Sequence, residues 1–205
     1  MTLYEYDRQI FSEGLHLFCG VDEAGRGPLA GPVYAAAVIL PGDREISGLN
    51  DSKKLSEKKR EALFGEIIAS AVCYGVASAE VAEIDAMNIL EASMLAMRRA
   101  VAMLDPVPEL CLVDGDRMPG LDIPTCTVVR GDAVSACIAA ASILAKVSRD
   151  RELLELNELY PLYRFDKHKG YPTKLHYEML DAYGESPVHR QTFLRKWRMA
   201  REDAK

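Results

Sequence analysis

Gly20-Val-Asp-Glu-Ala-Gly-Arg-Gly-Pro-Leu-Ala-Gly-Pro-Val33 lies between two apolar runs. The flanking runs, Leu15–Val21 and Val33–Leu40, read as strands, the second almost continuously apolar. Asp22 and Glu23 stand where the first strand is predicted to end, and carboxylates at a strand tip suit hard divalent cations. Gly25-Arg26-Gly27 follows at once; glycine lets a backbone approach a ligand closely, and a guanidinium suits phosphate. Metal beside phosphate points to phosphodiester chemistry. The stretch also fits a dinucleotide-binding fingerprint, Gly25-x-Gly27-x-x-Ala30. Pro28 and Pro32 stand where the helix of that motif should run, and Asp22 and Glu23 would repel a pyrophosphate, so that reading is set aside.

Outward from this stretch, three predicted strands end in acids. Leu110–Val113 runs into Asp114, and Ile123–Val129 is followed by Arg130-Gly131-Asp132. In open α/β sheets, reacting groups gather at strand ends. Four carboxylates converging there, Asp22, Glu23, Asp114 and Asp132, would repel one another unless cations sat between them. Two Mg²⁺ or Mn²⁺ ions would meet that need, one activating the attacking water and the other stabilising the leaving 3′-oxygen. Each acid alone also reads as a solvated turn residue, Asp132 as a helix N-cap, and Asp116 and Asp122 are further acids nearby.

The remaining elements follow from periodicity. Ser56 is placed to cap a helix carrying Leu63, Ile67 and Ala71 on one face, after a polar loop at 48–55. Val72–Ala79 reads as a strand. Residues 81–104 read as one long helix, its methionines core filler, stopped by Asp105-Pro-Val-Pro. Ala133 to about Leu156 is alanine-rich and helical, and shorter helices are predicted at 173–182 and in the basic tail at 191–203. Met1–Gln9 is polar and carries no predicted element. The pattern predicts an α/β layered domain with a mixed sheet.

Composition limits the classes. The 205 residues, 49% hydrophobic and 27% charged, are ordinary globular values. No apolar run approaches the roughly 18 residues that span a membrane, and Met1–Gln9 has no signal-like apolar core, so a cytoplasmic protein without membrane contact is expected. Five cysteines, at 19, 73, 111, 126 and 137, lack Cys-x-x-Cys spacing and read as buried free thiols rather than a zinc site. The net charge of −6 is uneven: residues 145–200 carry eleven Lys/Arg against eight Asp/Glu, whereas residues 1–144 carry twelve against twenty-one. A mildly basic C-terminal third is compatible with a polyanion on one face, and equally with a solvated helix face.

The sequence resembles ribonuclease HII, the bacterial type 2 ribonuclease H. The resemblance is carried by Val21–Val33, by Asn50-Asp-Ser-Lys-Lys-Leu-Ser56, by Val113-Asp-Gly-Asp116 and by Gly131-Asp132. It continues through Ala139-Ala-Ala-Ser-Ile-Leu-Ala-Lys-Val-Ser-Arg-Asp150, His168-Lys-Gly-Tyr-Pro-Thr173 and Ser186-Pro-Val-His-Arg190, and so spans nearly the whole chain in order.

This resemblance implies one ribonuclease H-like domain over residues 1–205, a central mixed sheet flanked by helices, with a helical, substrate-contacting C-terminal extension from about residue 157. It implies hydrolysis of RNA in RNA–DNA hybrids and incision 5′ of single ribonucleotides embedded in duplex DNA. The ends would be 3′-hydroxyl and 5′-phosphate, the role removal of misincorporated ribonucleotides, and the protein a monomer. By position the metal-binding acids fall on Asp22, Glu23, Asp114 and Asp132, the glycine-arginine-glycine motif on Gly25, Arg26 and Gly27, and the substrate-sensing tyrosine on Tyr171.

The residues are compatible with those roles. A 2′-hydroxyl both donates and accepts, so a glycine-rich backbone can read it without a long side chain. Tyr171 can stack on a sugar or merely cap a loop. Arg26 is a natural phosphate clamp, whereas Lys53, Lys54 and Lys146 are weaker phosphate candidates, and His168 either meets phosphate or orders its loop. Two alternatives remain. One is ribonuclease HIII, whose resemblance implies an added N-terminal domain where here only the residues before Leu15 precede the first predicted strand. The other is a nucleic-acid-binding module without catalysis, which would have no use for the four acids.

Overall fold

A computed structural model describes residues 2–202; Met1 and residues 203–205, including the last position of the predicted tail helix, lie outside them. Five strands form one mixed sheet: β1 (Phe18–Ala24), β2 (Val33–Ile39), β3 (Cys73–Ala79), β4 (Leu110–Asp114) and β5 (Thr125–Val128), in spatial order β3-β2-β1-β4-β5. β1, β2 and β3 pair antiparallel, whereas β4 and β5 run parallel to β1. The predicted mixed sheet is therefore present. The first strand, however, starts and ends three residues later than its apolar run. Its last pairs, Glu23 with Ala35 and Ala24 with Tyr34, carry the hairpin ladder through the acids, so Asp22 and Glu23 lie inside the strand rather than beyond its tip.

Strand alternation divides the core in two. Phe18 and Leu112 face one side with Ala36 and Val38; Cys19, Val21, Cys111 and Val113 face the other with Ala35 and Ala37. The first face is covered by α1 (Leu3–Ser12), α2 (Glu57–Ser70) and α5 (Ala136–Leu159). The second is covered by α3 (Val81–Met87) and α4 (Ile89–Val101). α5 is the central helix. Ala136, Ala139, Ala140, Ala141 and Ala145 are all fully buried, so its axis lies close against β1. Gly20 makes that approach possible: a Cβ there would stand 2.1 Å from the Cys137 carbonyl carbon.

Beyond the sheet, α6 (Phe165–His168), α7 (Lys174–Tyr183) and α8 (Arg195–Glu202) follow α5. A third apolar cluster joins Leu153 and Leu156 of α5 to Tyr163, Phe165, Leu180 and Leu194, and it includes Leu29 and Ala30 of the glycine-rich loop. The loop and the C-terminal segment share backbone bonds. The Leu29 N–H donates to the Gly170 carbonyl at 2.8 Å, Gly31 to Val188 at 2.9 Å, and Arg190 to Leu29 at 2.8 Å.

Several expectations are corrected. The predicted helix at 81–104 is two helices, because Asn88 takes φ 77° and its side chain accepts the N–H groups of Leu90 and Glu91, capping α4. The polar N-terminal stretch is helical, held by a Thr2–Glu5 capping box. Asp132 is not a helix N-cap; Ser135 fills that place by accepting the Ile138 N–H. The cysteines are free, but only Cys19, Cys111 and Cys137 are buried. Cys73 and Cys126 lie on the edge strands β3 and β5, where one flank has no neighbour to cover it. Among the described residues no helix is long and apolar enough to cross a membrane.

Candidate active site

Val21 pairs with Val113 across the parallel β1–β4 ladder, so Asp22 and Asp114, one residue further on, end up side by side and on the α5 face. Asp114 in turn pairs with Val128, which leads into the short turn that carries Asp132. The Gly131 N–H donates to Asp114 Oδ1 at 2.5 Å. Parallel pairing thus gathers acids that are more than one hundred residues apart in sequence.

Their electrostatics record the convergence. Burial pushes the Asp22 carboxyl well above its usual range, the charges of Glu23 and Asp114 push it further, and the Ser142 hydroxyl and Glu23 N–H oppose this. Glu23 is raised by burial, with Arg26 lowering it and Asp114 raising it. Asp132 is raised by burial, then by Asp51 and Asp114, while Lys53 pulls it down. These are like charges held in a partly desolvated pocket.

Each acid also has a local donor or cation. Asp22 Oδ1 accepts the Glu23 N–H at 2.7 Å, Glu23 faces Arg26 Nη1 at 3.4 Å, and Asp132 faces Lys53 Nζ at 3.9 Å. No group of three or more His, Cys, Asp or Glu side chains among the described residues closes to metal-ligand spacing. The donor set itself is all carboxylate oxygen, hard and mutually repelling, and fits a hard divalent cation better than any other ligand class.

The other predicted positions divide. Lys53 belongs to this site: burial lowers its ammonium, but Asp132, Asp22, Asp51 and Asp114 more than offset that and leave it raised. Lys54 turns aside, with Nζ 3.9 Å from Asp51. Lys146 donates to Asp150 at 2.6 Å and lies 5.8 Å from the Tyr171 ring centroid, so its charge is already shared. Tyr171 is partly exposed, and a Cβ on Gly27 would touch its Cε1 at 3.8 Å, so the glycine-rich loop and the tyrosine do meet. Among the described residues nothing else would come within 4 Å of that Cβ. Gly25 differs. It takes φ 100°, and a Cβ there would stand 2.0 Å from Arg149 Nε, so this glycine is required by the chain itself. His168 is buried; its Nε2 bonds the Tyr163 carbonyl at 2.8 Å and its Nδ1 accepts the Gly170 N–H at 3.2 Å. It orders the loop and is not available to phosphate.

Residues outside the expected set also shape the site. Asp51 accepts the Lys53 N–H at 2.9 Å and adds its charge to Asp132. Ser52 and Ser142 share a 2.8 Å hydroxyl bond beneath Asp22. Arg149 and Arg190, both fully buried, run under the glycine-rich loop. All lie within the segments that carry the family resemblance, but nothing in their spacing assigns them a task.

A family model for ribonuclease HII matches residues 19–197. The chain belongs to the ribonuclease HII family. The ribonuclease HII of Dechloromonas aromatica (strain RCB) is 62% identical over 177 residues, spanning 86% of this chain and 90% of that protein. The crystal structure of the ribonuclease H2 from Pyrococcus horikoshii OT3 superimposes with a TM-score of 0.70 at 31% identity, over 85% of this chain and 92% of that one. The crystal structure of Bst-RNase HIII in complex with Mn²⁺ superimposes with a TM-score of 0.74 over 92% of this chain and 70% of that one; at 19% identity this similarity is one of fold. The fold is thus ribonuclease H-like with C-terminal helices, and the enzyme is a ribonuclease H, a hydrolase.

Proposed function

We propose that this enzyme cuts RNA in RNA–DNA hybrids and also incises 5′ of a single ribonucleotide in duplex DNA, leaving 3′-hydroxyl and 5′-phosphate ends. The observation that carries this reading is the set of four carboxylates from three chain segments, three of them, Asp22, Glu23 and Asp132, raised by burial and by neighbouring acids, beside the meeting of Gly27 with Tyr171. In this reading Asp22, Glu23, Asp114 and Asp132 hold two Mg²⁺ or Mn²⁺ ions. Bound there, the ions supply an activated water and charge stabilisation of the leaving 3′-oxygen.

The chain's own residues do the rest. Gly25-Arg26-Gly27 presents main chain to the 2′-hydroxyl, and Arg26 and Lys53 meet phosphate at the edge of the acid cluster. Tyr171 stacks against the sugar at the junction, and the C-terminal extension from about residue 157 lies along the duplex. Lys146 acts through Tyr171 and Asp150 rather than on phosphate directly. Such an activity would serve removal of ribonucleotides misincorporated into DNA. A binding module without catalysis is disfavoured because clustered acids repel the phosphate they would bind.

The test is a DNA duplex with one ribonucleotide, incubated with Mg²⁺, with Mn²⁺ or with EDTA and mapped to the nucleotide. One cut on the 5′ side of the ribonucleotide, dependent on the cation, is expected. Cleavage of long hybrids alone would favour the ribonuclease HIII-like alternative, and binding without cleavage the non-catalytic one.

A further inference from the structure

Arg149 and Arg190 are both 0% exposed, and neither forms an ion pair among the described residues. All their hydrogen bonds go to main-chain carbonyls. Arg149 donates to Pro32 at 3.1 Å, Ala30 at 3.1 Å and Lys169 at 3.0 Å. Arg190 donates to Gly31 at 2.9 Å, Arg26 at 3.1 Å, Pro28 at 2.8 Å, Gly25 at 2.7 Å and Pro32 at 3.2 Å. Six carbonyls of the eight-residue segment 25–32 thus point at two guanidiniums.

We propose that Arg149 and Arg190 are positioning residues that draw the carbonyls of residues 25–32 inward and so turn the N–H edge of Arg26 and Gly27 toward the nucleic acid. This rests on the functional reading above, in which that edge meets the 2′-hydroxyl.

The physical argument has three parts. Burying two cations without a carboxylate is costly, and a loop that merely had to turn would not need them. A guanidinium offers five donors in a rigid plane, so it fixes the directions of several carbonyls at once; a lysine ammonium does not. A peptide unit is planar, so pulling a carbonyl one way sends the following N–H the opposite way. No intrachain acceptor takes the N–H of Arg26 or Gly27 among the described residues. Arg149 also joins two loops: it holds Lys169, and its Cζ lies 5.9 Å from the Tyr171 ring centroid. One clamp therefore fixes the loop and the tyrosine relative to each other.

The experiment uses Arg149→Lys and Arg190→Lys beside the wild type. Each keeps its charge and loses the fork. For folded variants, kcat on the single-ribonucleotide duplex should fall roughly 10-fold to 100-fold with KM changed less than about threefold, since misplaced groups lose rate before affinity. A merely structural role would lower thermal stability and leave kcat per folded molecule within about twofold, which overturns the proposal. A second measurement needs no variant and no cleavage. In EDTA, the wild type is titrated with the single-ribonucleotide duplex and followed by ¹⁵N–¹H spectra. The Arg26 and Gly27 amides should shift while the Arg149 and Arg190 Nε–H signals stay fixed; mobile guanidinium signals, or unshifted amides, would refute a preset clamp. If the wild type binds in this way and never incises with cations, the functional reading fails while the clamp stands.

Discussion

The Gly131 N–H donates to Asp114 Oδ1 over 2.5 Å, so one acid of the cluster fixes the turn that presents another, Asp132. A Cβ at Gly131 would stand 2.5 Å from Ile138 Cδ1 and 3.3 Å from Asp114 Oδ1, which leaves no room to loosen that link. The geometry separates what Asp132 does for chemistry from what it does for the fold. Among the described residues it accepts no main-chain bond that the turn depends on, and its charge is disfavoured by burial and by Asp51 and Asp114.

Asp132→Asn should therefore lower turnover by at least about 100-fold, more than loss of an outer partner of a metal ligand typically costs, while unfolding in EDTA stays unchanged or moves up by a few tenths of a kcal/mol. Cations that bind only the folded state raise stability by about 2.7 kcal/mol at one hundred times Kd. The Mn²⁺-induced rise in Tm should shrink in the variant. In the wild type that rise should grow as pH increases from 5 to 8, because raised carboxyls must lose protons to bind the ion. Full activity or an undiminished Mn²⁺ response in Asp132→Asn would remove it from the metal set.

How much of this was legible in the sequence depends on the kind of signal. Asp22, Asp114 and Asp132 were readable because apolar runs terminate at each. Their adjacency was not, since it rests on the Val21–Val113 register, and parallel strands meet without any local turn to announce it. The break at Asn88 was hidden because apolar spacing continues across it, although an asparagine is a natural residue for positive φ. The Thr2–Glu5 box is legible by its spacing, but the polar stretch around it masks the helix that it caps. Arg149 and Arg190 were beyond reach, because buried arginines bonded only to carbonyls read as surface charge in sequence.

Gly20→Ala tests the packing beneath the site. The added Cβ would meet Cys137 and Ile138 backbone at 2.1 and 2.2 Å, atoms of a central helix that cannot swing away. A loss of about 3 kcal/mol or more is expected, or roughly 2–4 °C of Tm per kcal/mol in a chain of this size. Gly65→Ala is the contrast: it lies exposed in α2 with nothing within 4 Å, so the same change should stabilise by up to about 1 kcal/mol. Equal effects from the two would mean that α5 is free to shift off β1.

His176 and His189 set a pH dependence. The bonds order one set of neutral tautomers: His176 Nδ1–H donates to the Tyr171 carbonyl at 3.0 Å, His176 Nε2 accepts from His189 Nε2 at 3.0 Å, and His189 Nδ1 accepts the Ser186 N–H at 2.9 Å. Burial pulls both imidazoles from 6.5 down to about 4. Between those values the unfolded chain binds more protons, so their stabilisation is full above pH 6.5 and is lost as pH falls toward 4. The combined effect is on the order of a few kcal/mol. The raised carboxyls of Asp22, Glu23 and Asp132 act in the opposite sense, so urea unfolding is compared between wild type and His189→Asn. The variant should be less stable at pH 7.5 and lose less between pH 7 and 5; parallel curves would exclude the histidines as the source.

Tyr171 is held at both ends of its backbone, with its N–H on the His168 carbonyl at 2.8 Å and its own carbonyl shared by the Thr173 N–H and His176. Its ring, by contrast, is partly exposed and borders Gly27, Lys146 and Arg149. Removing the ring should leave the loop in place, since no main-chain bond passes through it. Tyr171→Ala should therefore keep its Tm within about 2 °C, no more than about 1 kcal/mol would shift it in a chain of this size. Cleavage at a lone ribonucleotide should fall by at least about tenfold, because one stacking platform is lost where only one register is productive. On a long RNA–DNA hybrid the loss should be several-fold smaller, since other registers substitute. Tyr171→Phe should fall between the two if the hydroxyl touches the 2′-oxygen and match the wild type if only stacking matters. Equal losses on both substrates would show that Tyr171 serves binding in general and does not sense the RNA–DNA junction.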